Sequence, residues 1–284
     1  MILITGASGN VGKEVLKQIA RTGARVRAAF QSAGKAAAAP SGVEIVTMDY
    51  NAPETLQAAL KGVDAVFLVG PPTSELPGME RKAVDAIRRS GAARIVKLSA
   101  MGGSAAIFTR QHAVSEDYIK SSGVSYTVLR PNGFMQNFVN YNAGTINTQS
   151  AFYGSQGEGK VSHIDIRDIA AVAVKTLTQD GHQGKIYTLT GREALSNARI
   201  AEILSDDVGR EIKYVNLPDE QFKQALAGAG VPEWNANALV DLQRFYREGG
   251  ASEVTQDVEQ LLGHKPVSFE QFSRDHRDAF QRAA

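Results

Sequence analysis

Apolar and polar positions along the first half of the chain alternate between two registers. Ile2–Ile4 is a short, wholly apolar run of the kind a buried parallel strand shows. From there Val11, Val15, Leu16 and Ile19 recur at helical spacing on one face. The alternation continues, with strands expected over residues 24–30 and 43–48 and a helix over 53–60. A strongly apolar strand is expected over 63–69, stopping at Gly70-Pro71-Pro72. A helix over 79–89, a strand over 94–99, a helix from about 110 to 121 and a strand over 126–129 follow. This βαβ rhythm predicts an α/β fold: a doubly wound parallel Rossmann sheet that binds ligands at the carboxyl ends of its strands.

Past Pro131 the rhythm loosens. Residues 134–146, 166–177, 196–208, 219–227, 235–247 and 269–280 carry helical patterns, with strands expected over 185–189 and 211–217. The expected division is a dinucleotide-binding domain over residues 1–150 and a smaller, mostly helical C-terminal lobe over 151–284. That boundary is approximate, because the chain is free to cross between the lobes.

The chemistry begins between the first strand and the first helix. Gly6, Gly9 and Gly12 stand at a G-x-x-G-x-x-G spacing within Thr5-Gly-Ala-Ser-Gly-Asn-Val-Gly12. Glycine there permits a tight turn and lets the backbone approach a pyrophosphate, while the helix N-terminus presents unpaired N–H groups to the phosphates. Strand, turn and helix in this order point to dinucleotide binding through Gly6, Ser8, Gly9, Asn10 and Val11. The alternative is a structural turn that holds no ligand. NAD binders place an Asp or Glu about 20 residues on, where it bonds the ribose 2′-OH. The corresponding position, Gln31, carries no charge, which favours NADP(H) with NAD(H) as the alternative. Lys35 is the candidate 2′-phosphate contact, and Asp49 is placed at the adenine or at the cap of the helix that starts at Pro53. The strand ends at Val69, Gly70 and Pro71, at Ser99 and Met101, and at Pro131, Asn132 and Gly133 complete the expected cofactor lining.

Composition narrows the alternatives. The 284 residues carry a formal net charge of +1 and no basic block, so nucleic acid is not an expected partner. There are no cysteines, which removes disulfides, thiolate metal sites and cysteine nucleophiles. The five histidines show no metal spacing, and no metal site is expected. No apolar run reaches membrane-spanning length, and the first strand leaves no room for a signal peptide, so the expectation is a cytoplasmic protein with no membrane partner.

The glycine loop resembles that of the NmrA-like group of atypical short-chain dehydrogenase/reductases. So do Leu129-Arg-Pro-Asn-Gly-Phe-Met-Gln-Asn137, Gly157-Glu-Gly-Lys-Val-Ser-His-Ile-Asp165, Gly184-Lys-Ile-Tyr-Thr-Leu-Thr-Gly191 and the tail Ser268-Phe-Glu-Gln-Phe. The set runs in order over nearly the whole chain. The resemblance implies either an NAD(P)H-dependent reductase of quinones, azo compounds or triphenylmethane dyes, or a dinucleotide-binding redox sensor that acts on a protein partner. Ordinary short-chain dehydrogenases use a Tyr-x-x-x-Lys pair on the helix after the fifth strand. Aligned on the Ser-Gly that ends this helix, His112 and Glu116 take those positions here. Tyr118 and Lys120, two apart, face different sides of a helix. His112 is therefore the candidate proton donor, with Glu116 expected to lie beneath the imidazole and raise its pKa; a plain surface pair is the alternative. Phe134, Phe138, Tyr141, Phe152, Tyr153, His163 and Trp234 are the candidate wall of a pocket for a small aromatic or quinoid substrate, or else core. Asp165 and Asp168 read as a helix cap.

Overall fold

In a computed structural model the chain is described over residues 1–32, 34 and 40–281. The elements run in the order β1 (Ile2–Ile4), α1 (Asn10–Ile19), β2 (Val26–Phe30), β3 (Glu44–Thr47), α2 (Pro53–Leu60), β4 (Ala65–Leu68), α3 (Leu76–Ser90) and β5 (Arg94–Leu98). They continue with α4 (Ile107–Ser121), β6 (Ser125–Pro131), a π-helical turn (Phe138–Asn142), α5 (Ala143–Gln149), β7 (Ala151–Gly154), β8 (Lys160–Val161), α6 (Ile166–Thr178) and β9 (Lys185–Leu189). The last third holds β10 (Leu195–Ser196), α7 (Asn197–Val208), β11 (Lys213–Asn216), α8 (Asp219–Gly228), α9 (Glu233–Arg247), α10 (Asp257–Leu262), α11 (Phe269–Asp275) and α12 (Arg277–Phe280).

Seven strands form one sheet in the order β3-β2-β1-β4-β5-β6-β9, and the pairs from β3 through β6 are parallel. The strand order reverses at β1, which pairs with β2 on one side and β4 on the other, and the glycine loop leaves the sheet there, the place where doubly wound sheets bind ligands. The central strands β1, β2 and β4 are buried throughout, as strands covered on both faces are, whereas the edge strands β3 and β9 are partly exposed. On one face Leu3, Val66, Leu68 and Ile95 meet Leu56, Leu60, Val84, Ile87 and Ile119 from α2, α3 and α4. α1 packs against α6, and Gln18 Nε2 donates to Arg167 O at 3.0 Å.

The chain divides into two compact units, and it crosses between them more than once. The first unit comprises Met1–Gly103, Thr109–Arg130 and Ile166–Thr188; the second comprises Ser104–Phe108, Pro131–Asp165 and Leu189–Ala284. The physical reason lies in α6: its buried face of Ile169, Ala170, Ala173 and Leu177 is the partner α1 needs, so the chain returns to complete the sheet layer. The second unit is mostly helical, with two small sheets, β11 parallel to β7 and β10 antiparallel to β8. Its aromatic core joins Phe138, Phe152, Phe269, Phe272 and Phe280. The sequence pattern missed the short strands β7, β8 and β10 and the helix α10, and it merged the π-helical turn with α5. It also fused α11 with α12, which His276 separates.

Candidate functional site

The loop after β1 is a tight glycine turn closed against the end of β4 and the start of α1. Gly6 has a φ of 60°, and a Cβ there would come within 2.9 Å of the Val69 Cβ. A Cβ on Gly12 would lie 2.2 Å from Gly6 O, inside the backbone itself. These two glycines are therefore demanded by the turn and by the close approach of α1 to it. Gly9 is different. It is exposed, with an ordinary φ of −78°, and its added Cβ would meet only Gly6 O, at 3.3 Å. Gly9 is also the N-cap of α1, whose first turn carries no side-chain cap and no acidic residue. The helix thus opens with no side chain on its first N–H groups and with its positive dipole end at the loop, while Gly9 N donates to Gly6 O at 2.9 Å within the turn. Ser8 is half-buried, Asn10 is exposed, and Val11 is buried beneath the turn.

The end of β4 is tied to this loop. Thr5 Oγ1 accepts from Val69 N at 2.7 Å and donates to Phe67 O at 3.0 Å; Tyr50 OH donates to Val69 O at 2.7 Å. Gly70 N donates to Glu80 Oε1 at 3.0 Å, and a Cβ on Gly70 would strike the Leu76 Cδ1 at 2.4 Å. Val69, Gly70 and Pro71 are thereby fixed next to Gly6, all half-buried. At the end of β2, Gln31 is exposed. Lys35 lies outside the described residues. Arg27 is spent: its Nε donates to Glu44 at 2.8 Å, and its Nη1 to the carbonyls of Ala59 at 2.7 Å and Lys61 at 2.8 Å. Asp49 is exposed and accepts from Asn51 N at 2.8 Å, whereas α2 is capped by Ala52, so the cap reading of Asp49 is corrected to a turn one step earlier.

Helix α4 carries His112 and Glu116 inward: they are 8 % and 2 % exposed. The surface-pair alternative is thus excluded, and so is the expected pairing. Glu116 turns away from His112, accepting from Ser99 Oγ at 2.5 Å and from Arg130 Nε at 3.0 Å and Nη2 at 2.5 Å. Burial alone would raise the Glu116 pKa, but the bonds from Arg130 and Ser99 prevail and hold it below the ordinary carboxylate value. His112 instead meets Lys97 Nζ, 3.3 Å from its Nδ1. Burial first, and then the Lys97 charge, push its pKa well below 6.5, the reverse of the sequence expectation. Tyr118 and Lys120 form no catalytic pair: Tyr118 OH donates to Asp85 at 2.6 Å, and Lys120 faces Asp117 at 3.2 Å. Ser99, 4 % exposed, closes β5, and Met101 follows half-buried.

In the second unit the strand-end residues are held by local hydrogen bonds. Asn132 uses both amide hydrogens, donating to Ser162 Oγ and to Ala251 O at 2.8 Å each, and its carbonyl accepts from Gly133 N at 2.9 Å. Pro131 is buried, and Gly133 is crowded by His163, whose Nδ1 would lie 2.8 Å from an added Cβ. The candidate aromatics differ in burial. Phe138 and Phe152, at 4 % and 1 % exposure, are core residues; Phe138 packs edge-to-face on Phe152, His163 and Phe269 with centroids 5.6, 5.3 and 5.2 Å away. Phe134, Tyr153 and Trp234 are half-buried, with Tyr153 OH donating to Gln149 at 2.6 Å, and Tyr141 is 75 % exposed on the π-helical turn. His163 has both ring nitrogens enclosed without a hydrogen-bond partner, and burial pushes its pKa down to about 4. It borders a surface depression lined by Met135, Arg192, Glu193, Leu195 and Phe269. No cluster of metal-ligating side chains occurs among the described residues, and no helix there is long and apolar enough to cross a membrane.

Sequence inspection missed Lys97 and Glu80. Both carried a signal: Lys97 interrupts the apolar strand β5, and Glu80 sits on the apolar face of α3 between Leu76 and Val84.

The same arrangement of loop, sheet order and second unit is found in known proteins. The chain is 36% identical over 287 residues to an NAD(P)H azoreductase of Xenophilus azovorans, with 100% of both covered. The NADPH complex of the Escherichia coli quinone oxidoreductase QOR2 superposes with a TM-score of 0.89 at 27% identity, covering 98% of this chain and 100% of that one. The Citrobacter sp. triphenylmethane reductase complexed with NADP(H) gives 0.88 at 26% identity, covering 97% and 99%. Residues 1–273 match the NmrA-like family, and with a relative this similar over its full length the chain belongs to that family.

Proposed function

We propose that the protein is an NAD(P)H-dependent reductase that passes a hydride to a flat conjugated acceptor of the quinone, azo or related dye class. The observation that carries this is the loop after β1: close packing demands Gly6 and Gly12, and the exposed Gly9 leaves the start of α1 without a side-chain cap. A turn of this kind fits a pyrophosphate held by the first-turn N–H groups of α1. Gln31 in place of a carboxylate admits a 2′-phosphate, so NADP(H) is favoured over NAD(H). The names of the relatives, which act on azo compounds, quinones and dyes, support the acceptor class.

When bound, the reduced nicotinamide supplies the hydride. The chain's own work is then to position the partners. Such acceptors stabilise the developing negative charge themselves, so orientation and exclusion of water provide most of the rate. Thr5, Tyr50 and Glu80 hold the β4 exit rigid beside the loop. Glu116 is engaged by Ser99 and Arg130, and His112 is the candidate proton-handling group near the end of β5. The rival reading, a redox sensor that binds the dinucleotide without turnover, shares the loop and draws support from the absence of a Tyr-x-x-x-Lys pair.

One experiment separates the two. NADPH and NADH binding are measured by calorimetry, followed by oxidation of each with quinone and azo panels. NADPH binding with steady oxidation on at least one acceptor class is expected. Tight binding with no oxidation across the panels would sink the reductase reading in favour of the sensor.

A further inference from the structure

The scheme above makes no use of Lys97, although its side chain and that of Glu80 are 0% and 1% exposed. Lys97 Nζ sends hydrogen bonds to Glu80 Oε1 at 2.7 Å and to Leu98 O, and faces His112 Nδ1 at 3.3 Å. Glu80 Oε1 also accepts the Gly70 N–H, while Glu80 Oε2 is buried without a partner. The ammonium therefore joins two parts of the candidate site that are far apart in sequence: the end of β4, and the inward face of α4.

An ammonium has three donors and no acceptor. Whichever ring nitrogen faces it must offer a lone pair, and in an uncharged imidazole the proton then sits on the other nitrogen. From this geometry we infer that Lys97 is a positioning residue that fixes His112 as the Nε2-protonated tautomer and, through Glu80, anchors the Gly70 amide. The groups around the ring agree. Lys97 approaches from β5 with Glu80 of α3 behind it, while Glu116, on the same helix as His112, is bound by Arg130 of β6. With its pKa held low by burial and by Lys97, the ring stays uncharged near neutral pH. His112 thus acts as a neutral N–H donor from Nε2, suited to a developing anion, and not as an imidazolium acid. That catalytic consequence rests on the reductase reading; the tautomer does not.

The test is the histidine ¹⁵N spectrum of the full chain, with the His112 signals assigned by their loss in His112→Asn. The wild-type ring should show the Nε2-protonated pattern and no titration from about pH 6 to about pH 8. The double variant Lys97→Met/Glu80→Gln removes both charges together and retains an acceptor for Gly70 N. It should lose the single-tautomer signature, with kcat down about tenfold and KM for NADPH within about twofold. An Nδ1-protonated or charged ring in the wild type, or an unchanged tautomer in the folded double variant, overturns the assignment. If the variant fails to fold, the wild-type spectrum decides alone. A protein that oxidises no NADPH yet shows the Nε2 tautomer keeps this inference and loses the reductase reading.

Discussion

Gly6 and Gly12 are glycine because the protein itself fills the space a side chain would take, whereas Gly9 faces nothing closer than a carbonyl oxygen at 3.3 Å. The three positions should therefore respond differently to the same change. Gly9→Ala should lower stability by only about 1 kcal/mol, the cost of a poorer N-cap and one tight contact, and less than the same change at Gly6 or Gly12, yet weaken NADPH binding at least about tenfold by blocking the pyrophosphate. Calorimetric titration beside a thermal melt checks both halves. NADPH affinity retained in a stable Gly9→Ala protein would move the site elsewhere. The loop itself was legible in the sequence because its logic is local: strand, turn and helix are adjacent. The His112 cluster was not. Its partner Lys97 arrives from a neighbouring strand, and helical spacing alone favoured Glu116, which Arg130 and Ser99 claim instead.

At the scale of elements, α8 and α9 are joined through one carboxylate. Asp219, the first residue of α8, accepts from Arg244 Nε at 2.7 Å and Arg247 Nη1 at 3.1 Å on the last turn of α9. Arg247 is the principal cause of its pKa falling to about 2. A depressed carboxylate stabilises fully above its unfolded pKa of 3.8, and that contribution is lost as the pH falls towards 2. Asp219→Asn should therefore lower stability by about 1 kcal/mol at neutral pH, since the two arginines are half-exposed and solvent screens the pair. The gap between variant and wild type should close in acid. Urea titrations at both pH values read the difference, and an equal gap at each would deny Asp219 this role. Of these elements the sequence pattern revealed the long helices α7 and α9, whose apolar faces repeat over several turns. It hid β7, β8 and β10, which at two to four residues are too short to establish a period.

Across the whole molecule, each unit is assembled from three separate stretches of chain. The sequence leaves the chain free to cross between the lobes near residue 150 but does not say where, because nothing in the sequence of α6 states which sheet it covers. A fragment of residues 1–150 lacks both elements and leaves α1 without its packing partner. Such a fragment should show no cooperative melt by circular dichroism, whereas residues 1–284 should melt sharply. A cooperative transition in the short fragment would mean that the sheet does not need α6.

The interleaving gives particular value to the chain's single tryptophan, Trp234, half-buried in the first turn of α9. Because that residue belongs to the second unit alone, selectively excited indole emission is a private reporter of that unit, while backbone dichroism sums over both. The protein thus carries a built-in spectroscopic tag for asking whether a chain woven through two units comes apart at once or in stages.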